Sequence, residues 1–303
     1  MSPIPYLGEV ISLLTAVCWS GTAVFFSRAG RRVGSPTVNV SRLGIALVVV
    51  LLLHTVLFGR PFPTDAGAVR LGWLAASGLI GFSLGDALYF EALVLLGPRL
   101  AMLLMTLWPA IAALLAWAFL GQTLTLLKGG AMLVTLGGIA LVVAEKGRSA
   151  ADPAKPRRYG LGLLLGLGGA VGQAVGFIFS KLGMAGGLSP ISANVVRVST
   201  GFLALAIWQL LRREIVPNLR RLSDRKALGL ITLGAFFGPV TGVMLSLFAI
   251  KYASNLGIAS TLMSLSPVIL LPVSVLVEKE KVGPWAVIGT LVSIGGAAAL
   301  FLL

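Results

Sequence analysis

Asp86 is the residue whose position in this sequence most needs a chemical explanation, because it stands inside the apolar stretch FSLGDALYFEAL. An ionised side chain in hydrocarbon costs about 2.5–3.5 kcal/mol on insertion scales, so such a residue is expected to have a function. A carboxylate there could carry a coupling proton or bind an amine, or it could make a structural hydrogen bond to a neighbouring helix. Tyr89 lies three residues later on the same side of a helix, where it could shape a cavity or bond across helices.

Two arginines stand inside apolar segments within similar sequence motifs. Arg42 ends the motif NVSR, and Arg197 ends the motif NVVR. Each is expected about two turns into its helix, with Asn39 or Asn194 three residues earlier on the same face. The two arginines could bind an anion or a carboxylate from two sides. Alternatively, each long side chain could extend to the lipid headgroups.

Three further residues are candidates for contact with a substrate. Trp19 and Trp108 are expected deep in their helices, which argues against a position at the membrane interface. Gln173 is an uncharged polar residue expected near the middle of its helix, where it could contact a substrate or bond to another helix. The sequence therefore predicts a substrate site that contains all the candidates named so far. They are Trp19, Arg42, Asp86, Tyr89, Trp108, Gln173 and Arg197.

Groups for catalysis, metal binding or nucleotide binding are scarce. The chain has one histidine, His54, which we expect at a membrane interface, and one cysteine, Cys18. An enzyme needs a cluster of acids, bases or metal ligands, and the sequence lacks the G-x-x-x-x-G-K-[ST] phosphate loop. We therefore predict a protein that is not an enzyme, has no cofactor or metal site, and does not hydrolyse ATP.

The composition is that of a membrane protein. The 303 residues are 57% hydrophobic and only 11% charged, with a mean hydropathy of +0.98, whereas soluble domains are about a quarter charged. The net charge of +14 comes from lysines and arginines between apolar runs, where they contact lipid headgroups, so no nucleic-acid partner is expected. Long unbroken apolar runs predict helices and not the alternating strands of a barrel.

Ten membrane spans are predicted, since about 20 residues cross the hydrocarbon core. Serines before Pro36 and Pro190 are expected to cap the second and seventh spans. The predicted spans are 7–27, 36–58, 69–95, 98–120, 126–144, 160–184, 189–211, 226–250, 254–277 and 283–303. The fold class is therefore an all-α integral membrane protein.

The chain is predicted to be a tandem of two repeats, residues 1–145 and 160–303, joined by a loop at 146–159. Pro109 and Pro267 lie 158 residues apart, and the same offset aligns LGGIAL with IGGAAA. Five spans is an odd number, so the second repeat is inverted around a central cavity. Such repeats are typical of secondary transporters, with the substrate near the midplane. The two prolines could kink helices beside a cavity or only shape packed helices.

The repeated pattern resembles the drug/metabolite transporter superfamily, in its ten-helix EamA branch. The resemblance is carried by AVCWSGTAVFFS, by TLWPAIAALLAWAFLGQTLT with GGAMLVTLGGIALV, and by the echo LSPVILLPVSVLVEKEKVGPWAVIGTLVSIGGAA. Within that branch, a tryptophan in the first helix and a Leu-Trp-Pro in the fourth resemble the aromatic amino acid exporters. This resemblance implies that Trp19 and Trp108 lie near a central cavity.

The expected function is secondary transport, in which small organic metabolites, above all amino acids or related compounds, are exported by alternating access. The alternative is a lipid or lipid-linked sugar flippase of the same superfamily. Expected partners are a small-molecule substrate and the lipid bilayer, with protons as a further candidate. Because the two halves are fused in one chain, a monomer is expected.

The expected location is the plasma (inner) membrane. Seventeen of the 24 lysines and arginines lie in, or within four residues of, loops that share one side of the predicted topology, and five lie in or equally near the loops of the other side. The positive-inside rule therefore places both termini outside. The family resemblance places both termini inside.

Overall fold

A computed structural model of the chain describes residues 5–146, 159–266, 268–269, 272 and 283–302, so Pro267 lies outside the described residues. The described part consists of helices and short connections. The helices are α1 (Leu7–Val33), α2 (Ser35–Phe58), α3 (Ala68–Gly78), π1 (Leu79–Gly85), α4 (Asp86–Met105), α5 (Trp108–Leu120), α6 (Leu126–Lys146), α7 (Tyr159–Gly183), α8 (Pro190–Leu211), α9 (Ile215–Arg221), α10 (Arg225–Ala235), π2 (Phe236–Gly242), α11 (Val243–Tyr252), α12 (Leu256–Met263) and α13 (Pro284–Leu302).

Seven helices in the described residues are long and apolar enough to cross a membrane. Two of them are composite: α3, π1 and the start of α4 form one, and α10, π2 and α11 form the other. The segments α5 and α13 are shorter apolar helices. With α12, these elements correspond in order to the ten predicted spans, which makes the chain an all-helical membrane protein of two repeats.

Helix α4 contains a reversal of the chain. A Cβ placed on Gly166 would lie 3.5 Å from the Cβ of Ala92 and 3.3 Å from the Cβ of Leu104. Twelve residues of straight helix would separate those two residues by about 18 Å. The chain therefore turns back between them, as the predicted boundary at 95–98 requires, although helical backbone continues through it.

The packing of the helices follows a pseudo-two-fold axis. Span 1 (α1) packs on span 8 (α10, π2 and α11), and its equivalent span 6 (α7) packs on span 3 (α3, π1 and α4). Helix α5 packs on α7, and its equivalent α12 packs on α1. Helices on the axis pack on their own equivalents: α2 on α8, α5 on α12 and α6 on α13. This exchange of equivalent contacts is what an inverted repeat predicts.

Both composite spans contain a π-helix at the same place in the repeat. π1 covers Leu79–Gly85 and π2 covers Phe236–Gly242, at an offset of 157 residues. A π-helix within an α-helix is rare and is often found at functional sites. Hydropathy and the positions of the prolines predict neither π-helix.

The break at Pro109 differs from the expected kink. α4 ends at Met105, a turn follows at 106–107, and α5 begins at Trp108, so Pro109 lies in the first turn of a new helix. Proline is tolerated there because the first-turn amides have no intrahelical acceptor. The second repeat has the same break, since α12 ends at Met263 and a turn follows at 264–265.

Two local predictions need correction. Ser189 does cap α8, because its side chain accepts a hydrogen bond from the amide of Ile191, but Ser35 does not cap α2. Gly34 stands before α2 with a positive φ of 84°, and Ser35 lies inside the first turn. The predicted loop at 212–225 contains the short helix α9, whose buried Asn218 accepts a bond of 2.9 Å from Thr37.

Candidate functional site

Three charged side chains meet between α2, α4 and α8. The guanidinium of Arg42 donates to the carboxylate of Asp86, and only 12% and 23% of the two side chains are exposed. Asp86 also interacts electrostatically with Arg197. The structure thus brings together three residues of the predicted site, and it gives the carboxylate a partner within the protein, which the sequence did not identify.

Arg42 is held in place from several sides. Its Nε donates to Oδ1 of Asn39 at 2.9 Å, one turn earlier in α2. Its guanidinium carbon lies 5.5 Å from the ring centre of Phe26 and 5.9 Å from that of Phe90. Cation–π contacts of this length stabilise a guanidinium away from water. The side chain of Arg42 is therefore directed toward Asp86, Asn39 and two aromatic rings of the protein.

Arg197 is the more deeply buried of the two arginines, with 3% of its surface exposed. Its guanidinium lies 4.9 Å from the ring centre of Phe82 and 5.5 Å from that of Phe177. Its Nε and Nη1 atoms are buried and have no hydrogen-bond partner in the structure. A buried donor on a charged group is costly to leave unpaired, so Arg197 is the residue of this group whose hydrogen-bonding capacity is least satisfied among the described residues.

The two repeat-related asparagines differ in their partners. Asn39 binds Arg42, whereas Nδ2 of Asn194 donates to the backbone carbonyl of Pro239 at 3.0 Å. Pro239 lies inside π2. Oδ1 of Asn194 is buried without a hydrogen-bond partner. The second asparagine therefore binds the backbone of an irregular helix, whereas the first binds its arginine.

The π-helix π1 brings Asp86 close to α7. Its last residue, Gly85, directly precedes Asp86, and a Cβ placed on Gly172 of α7 would lie 2.9 Å from the Cα of Gly85. A Cβ placed on Gly81 of π1 would lie 3.6 Å from Nη2 of Arg197. Small residues let backbones approach closely in membrane proteins, so Gly85 and Gly172 allow π1 to pack directly on α7 beside Asp86.

An aromatic cluster lies beside the charges. Trp108 is buried and stacks on Phe177 of α7, with ring centres 5.2 Å apart and planes at 24°. Trp19 approaches Phe177 from α1 at 6.5 Å. Because Phe177 also contacts Arg197, the cluster joins the charged group through one ring. Sequence reasoning did not identify Phe177. The indication in the sequence is that Phe177 lies one helical turn after Gln173 and therefore on the same side of the helix.

Gln173 and Tyr89 lie at the edge of this arrangement. Both side chains are half-buried. Tyr89 packs against Gly169 of α7, where an added Cβ would lie 3.1 Å from the Cβ of Tyr89, and its ring centre lies 5.9 Å from that of Phe90. Gln173 is on α7, one turn before Phe177. Their roles in substrate binding stay predictions.

A cavity of about 340 Å³ lies beside the Arg42–Asp86 pair, between α2, α4 and α8. It is lined by Asn39, which binds Arg42, and by Phe90, which faces the same guanidinium. Glu91 and Trp208 line its outer part, and both are exposed. The cavity therefore connects the neighbourhood of the ion pair with the outside of the helix bundle.

The remaining titratable candidates have structural roles. His54 is 1% exposed, and its ring nitrogens contact the carbonyl of Arg60 at 2.6 Å and Oγ of Ser192 at 3.0 Å. Its position at a membrane interface stays a prediction. Within the described ranges, no group of three or more His, Cys, Asp or Glu residues could hold a metal ion. The candidate site therefore contains two guanidinium groups, one carboxylate and an aromatic surface.

Comparison with known proteins gives a family and a fold. The family model of the EamA-like transporter family matches residues 6–144 and again residues 160–302. A crystal structure of a protein that is 20% identical superposes with a TM-score of 0.75, over 97% of this chain and 98% of the other. No curated protein matches the sequence significantly. The two family matches coincide with the two halves seen in the packing.

Proposed function

This chain belongs to the EamA-like transporter family, and from that premise we propose that it is a secondary transporter that exports small organic metabolites, amino acids or related compounds, by alternating access. The family makes it a multi-pass membrane transporter of the drug/metabolite superfamily. The substrate class, the direction of transport and the location in the plasma (inner) membrane belong to the proposal.

The observation that carries the proposal is Arg197. Two of its donors are buried without a partner among the described residues, and its guanidinium lies near the rings of Phe82 and Phe177 at the contact between the repeats. A guanidinium with free donors recognises carboxylates, and aromatic rings pack on an apolar body. Amino acids and related compounds carry both features in one small molecule.

Alternating access is supported by the paired irregularities of the two repeats. π1 and π2 lie at equivalent places, and so do the breaks before α5 and after α12. Discontinuous helices near the midplane are common in transporters built from inverted repeats. The two halves would rock around the charged group, with these irregular segments absorbing the change in backbone angles.

A lipid or lipid-linked sugar flippase is the second candidate. The cavity beside the ion pair opens between α2, α4 and α8, and a groove of about 350 Å³ with mostly apolar walls continues along α2 and α8 to α9. A flippase substrate could keep its chains in such a groove while its headgroup enters. Vesicles that scramble a labelled lipid without moving amino acids would favour this function.

The test of the main proposal is efflux from proteoliposomes preloaded with mixed amino acids and related carboxylates, with and without a pH gradient. Selective loss of one compound, reduced at least tenfold by Trp108→Ala, is the expected result, because this variant removes the ring that stacks on Phe177. The matched control is Trp117→Ala on the same helix, whose side chain is 64% exposed.

Two outcomes would decide the remaining parts of the proposal. Acceleration by the pH gradient that disappears in Asp86→Asn would make Asp86 the group that couples protons to transport. Retention of every compound by folded protein would contradict the transport of amino acids and related compounds. A monomer is expected, and the mass of the purified protein in detergent tests it.

A further inference from the structure

The charged side chains of the site carry a net positive charge. Arg42 and Arg197 are two cations, and in the part of the chain that the structure describes Asp86 is the one carboxylate that interacts with them. Glu91, the other acidic residue of α4 close by, is exposed and faces the mouth of the cavity. The site residues therefore leave one positive charge, and Arg197 is the arginine whose Nε and Nη1 have no hydrogen-bond partner among the described residues.

An uncompensated buried charge is costly, so the ligand that binds best is the one that neutralises it. A monoanion would bring the charge of the group to zero. A zwitterion would leave the charge at one, and its ammonium would lie among two guanidinium groups. Asp86 cannot offset that repulsion freely, because it is already bonded to Arg42.

The shape of the surroundings adds a second requirement. Arg197 lies between the rings of Phe82 and Phe177, at 4.9 and 5.5 Å. Trp108 and Trp19 extend the aromatic surface from Phe177. A ligand whose anionic group meets Nε and Nη1 of Arg197 has its body against these rings.

We infer that the preferred substrates are monoanionic carboxylates with an apolar or aromatic body and no free ammonium group, held by Arg197. Compounds of this class include 2-oxo acids, 2-hydroxy acids and N-acylated amino acids. This inference rests on the proposed transport function and narrows its substrate class. The carboxylate takes the two unpaired donors, while Arg42 and Asp86 stay paired beside it.

The test compares ligands that share a benzyl body and differ in charge. Binding of N-acetylphenylalanine (monoanion), phenylalanine (zwitterion) and N-acetylphenylalaninamide (neutral) to the purified full-length protein is measured by calorimetry. We expect the monoanion to bind about 10- to 100-fold more tightly than the neutral amide, the range given by one or two charge-assisted hydrogen bonds. The zwitterion should bind less tightly than the monoanion.

Variants locate the effect on Arg197. In Arg197→Met the preference for the monoanion over the amide should disappear, whereas Arg220→Met, at an exposed position on α9, should keep it. Arg197→Lys keeps the positive charge, so it should still bind the monoanion more tightly than the amide. This variant provides the test if Arg197→Met does not fold. Asp86→Asn raises the charge of the group by one and should favour the dianion benzylmalonate.

The outcomes separate the inference from the function. Tighter binding of phenylalanine than of N-acetylphenylalanine, together with transport of phenylalanine, would overturn the inference and leave the transporter intact. A monoanion preference that survives in Arg197→Met would also overturn it. Absence of binding and of transport for all these ligands, and for the mixed pool of the efflux assay, would contradict the proposed function itself.

Discussion

At the residue scale, the Arg42–Asp86 pair explains how a carboxylate can stand within an apolar helix. The sequence marks Asp86 as unusual, but the identity of its partner depends on where the fold places α2 relative to α4. The long side chain of Arg42 joins residues 44 positions apart, which periodicity within one helix cannot predict. The same is true of Phe177, which contacts Arg197 from a third helix.

The ion pair gives a prediction about stability. Asp86→Ala leaves Arg42 and Arg197 without a counter-charge, so the free energy of unfolding should fall by about 2–4 kcal/mol. This lies below the cost of breaking a fully buried pair, because 23% of the Asp86 side chain is exposed. Unfolding in mixed micelles of increasing sodium dodecyl sulfate measures the change.

The control is a pair of the same kind in solvent. Arg60 and Asp65 form an ion pair whose side chains are 40% and 59% exposed, and Asp65→Ala should change the stability little. A double variant, Arg42→Met with Asp86→Ala, should be more stable than the sum of its single changes predicts. Equal effects of Asp86→Ala and Asp65→Ala on the free energy of unfolding would show that the buried pair stabilises the protein no more than the exposed pair does.

At the element scale, the glycine pairs of α6 and α13 give a prediction with an internal control. A Cβ on Gly138 would lie 2.5 Å from the backbone nitrogen of Ser293 and 2.6 Å from the carbonyl of Gly289, whereas a Cβ on Gly137 would meet no atom within 4 Å. Gly138→Ala should therefore destabilise the protein by about 1–3 kcal/mol, as overpacking does.

The neighbouring substitution should act in the opposite direction. Gly137→Ala should be neutral or stabilising by up to about 1 kcal/mol, since alanine favours the helix. Thermal unfolding of both variants in one detergent compares them directly. If Gly138→Ala unfolds no earlier than Gly137→Ala, the close packing of α6 on α13 is wrong.

The elements also show what the sequence can predict and where it fails. Hydropathy and proline positions predict the ten spans and the repeat, because a membrane permits few backbone structures. They do not predict π1 and π2, because an extra residue per turn leaves hydropathy almost unchanged. A signal was present in the paired glycines Gly85 and Gly242, which end the two π-helices at an offset of 157.

At the scale of the whole molecule, the two repeats are joined by a polar contact outside the membrane spans. Arg32, at the end of α1, donates to the carboxylate of Asp224 at 2.7 Å. Asp224 also caps α10 by accepting from the amides of Lys226 and Ala227. The Arg32 guanidinium, with these amides, holds the pKa of Asp224 below its usual value of 3.8.

This contact predicts a dependence of stability on pH. Because the pKa of Asp224 is lower in the folded than in the unfolded protein, its contribution is full above the unfolded value of about 4 and is lost as the pH falls through the folded value. Between pH 6 and pH 3, the melting temperature of the wild type should therefore fall more than that of Asp224→Asn. Asparagine still caps the helix, so a parallel decline in both proteins would exclude the charge as the cause.

The same contact bears on how the molecule sits in the membrane. Arg32 follows span 1 and Asp224 precedes span 8, so the loops after spans 1 and 7 lie at one end of the bundle. The loops after spans 2 and 6 meet at a separate contact. There the guanidinium of Arg70, just after the first of these loops, contacts Gly186 in the second. These contacts support the predicted alternation of the loops between the two sides of the membrane.

The charge difference then gives a definite expectation for the termini. The end at which Arg32 meets Asp224 also carries the exposed basic residues of α9, and anionic lipids with the positive-inside rule favour that end in the cytoplasm. Both termini then face outward, although the family resemblance implies the opposite. Alkaline phosphatase fused to the C-terminus should be active and green fluorescent protein there dark; the reverse pattern would mean that charge does not set the orientation of this chain.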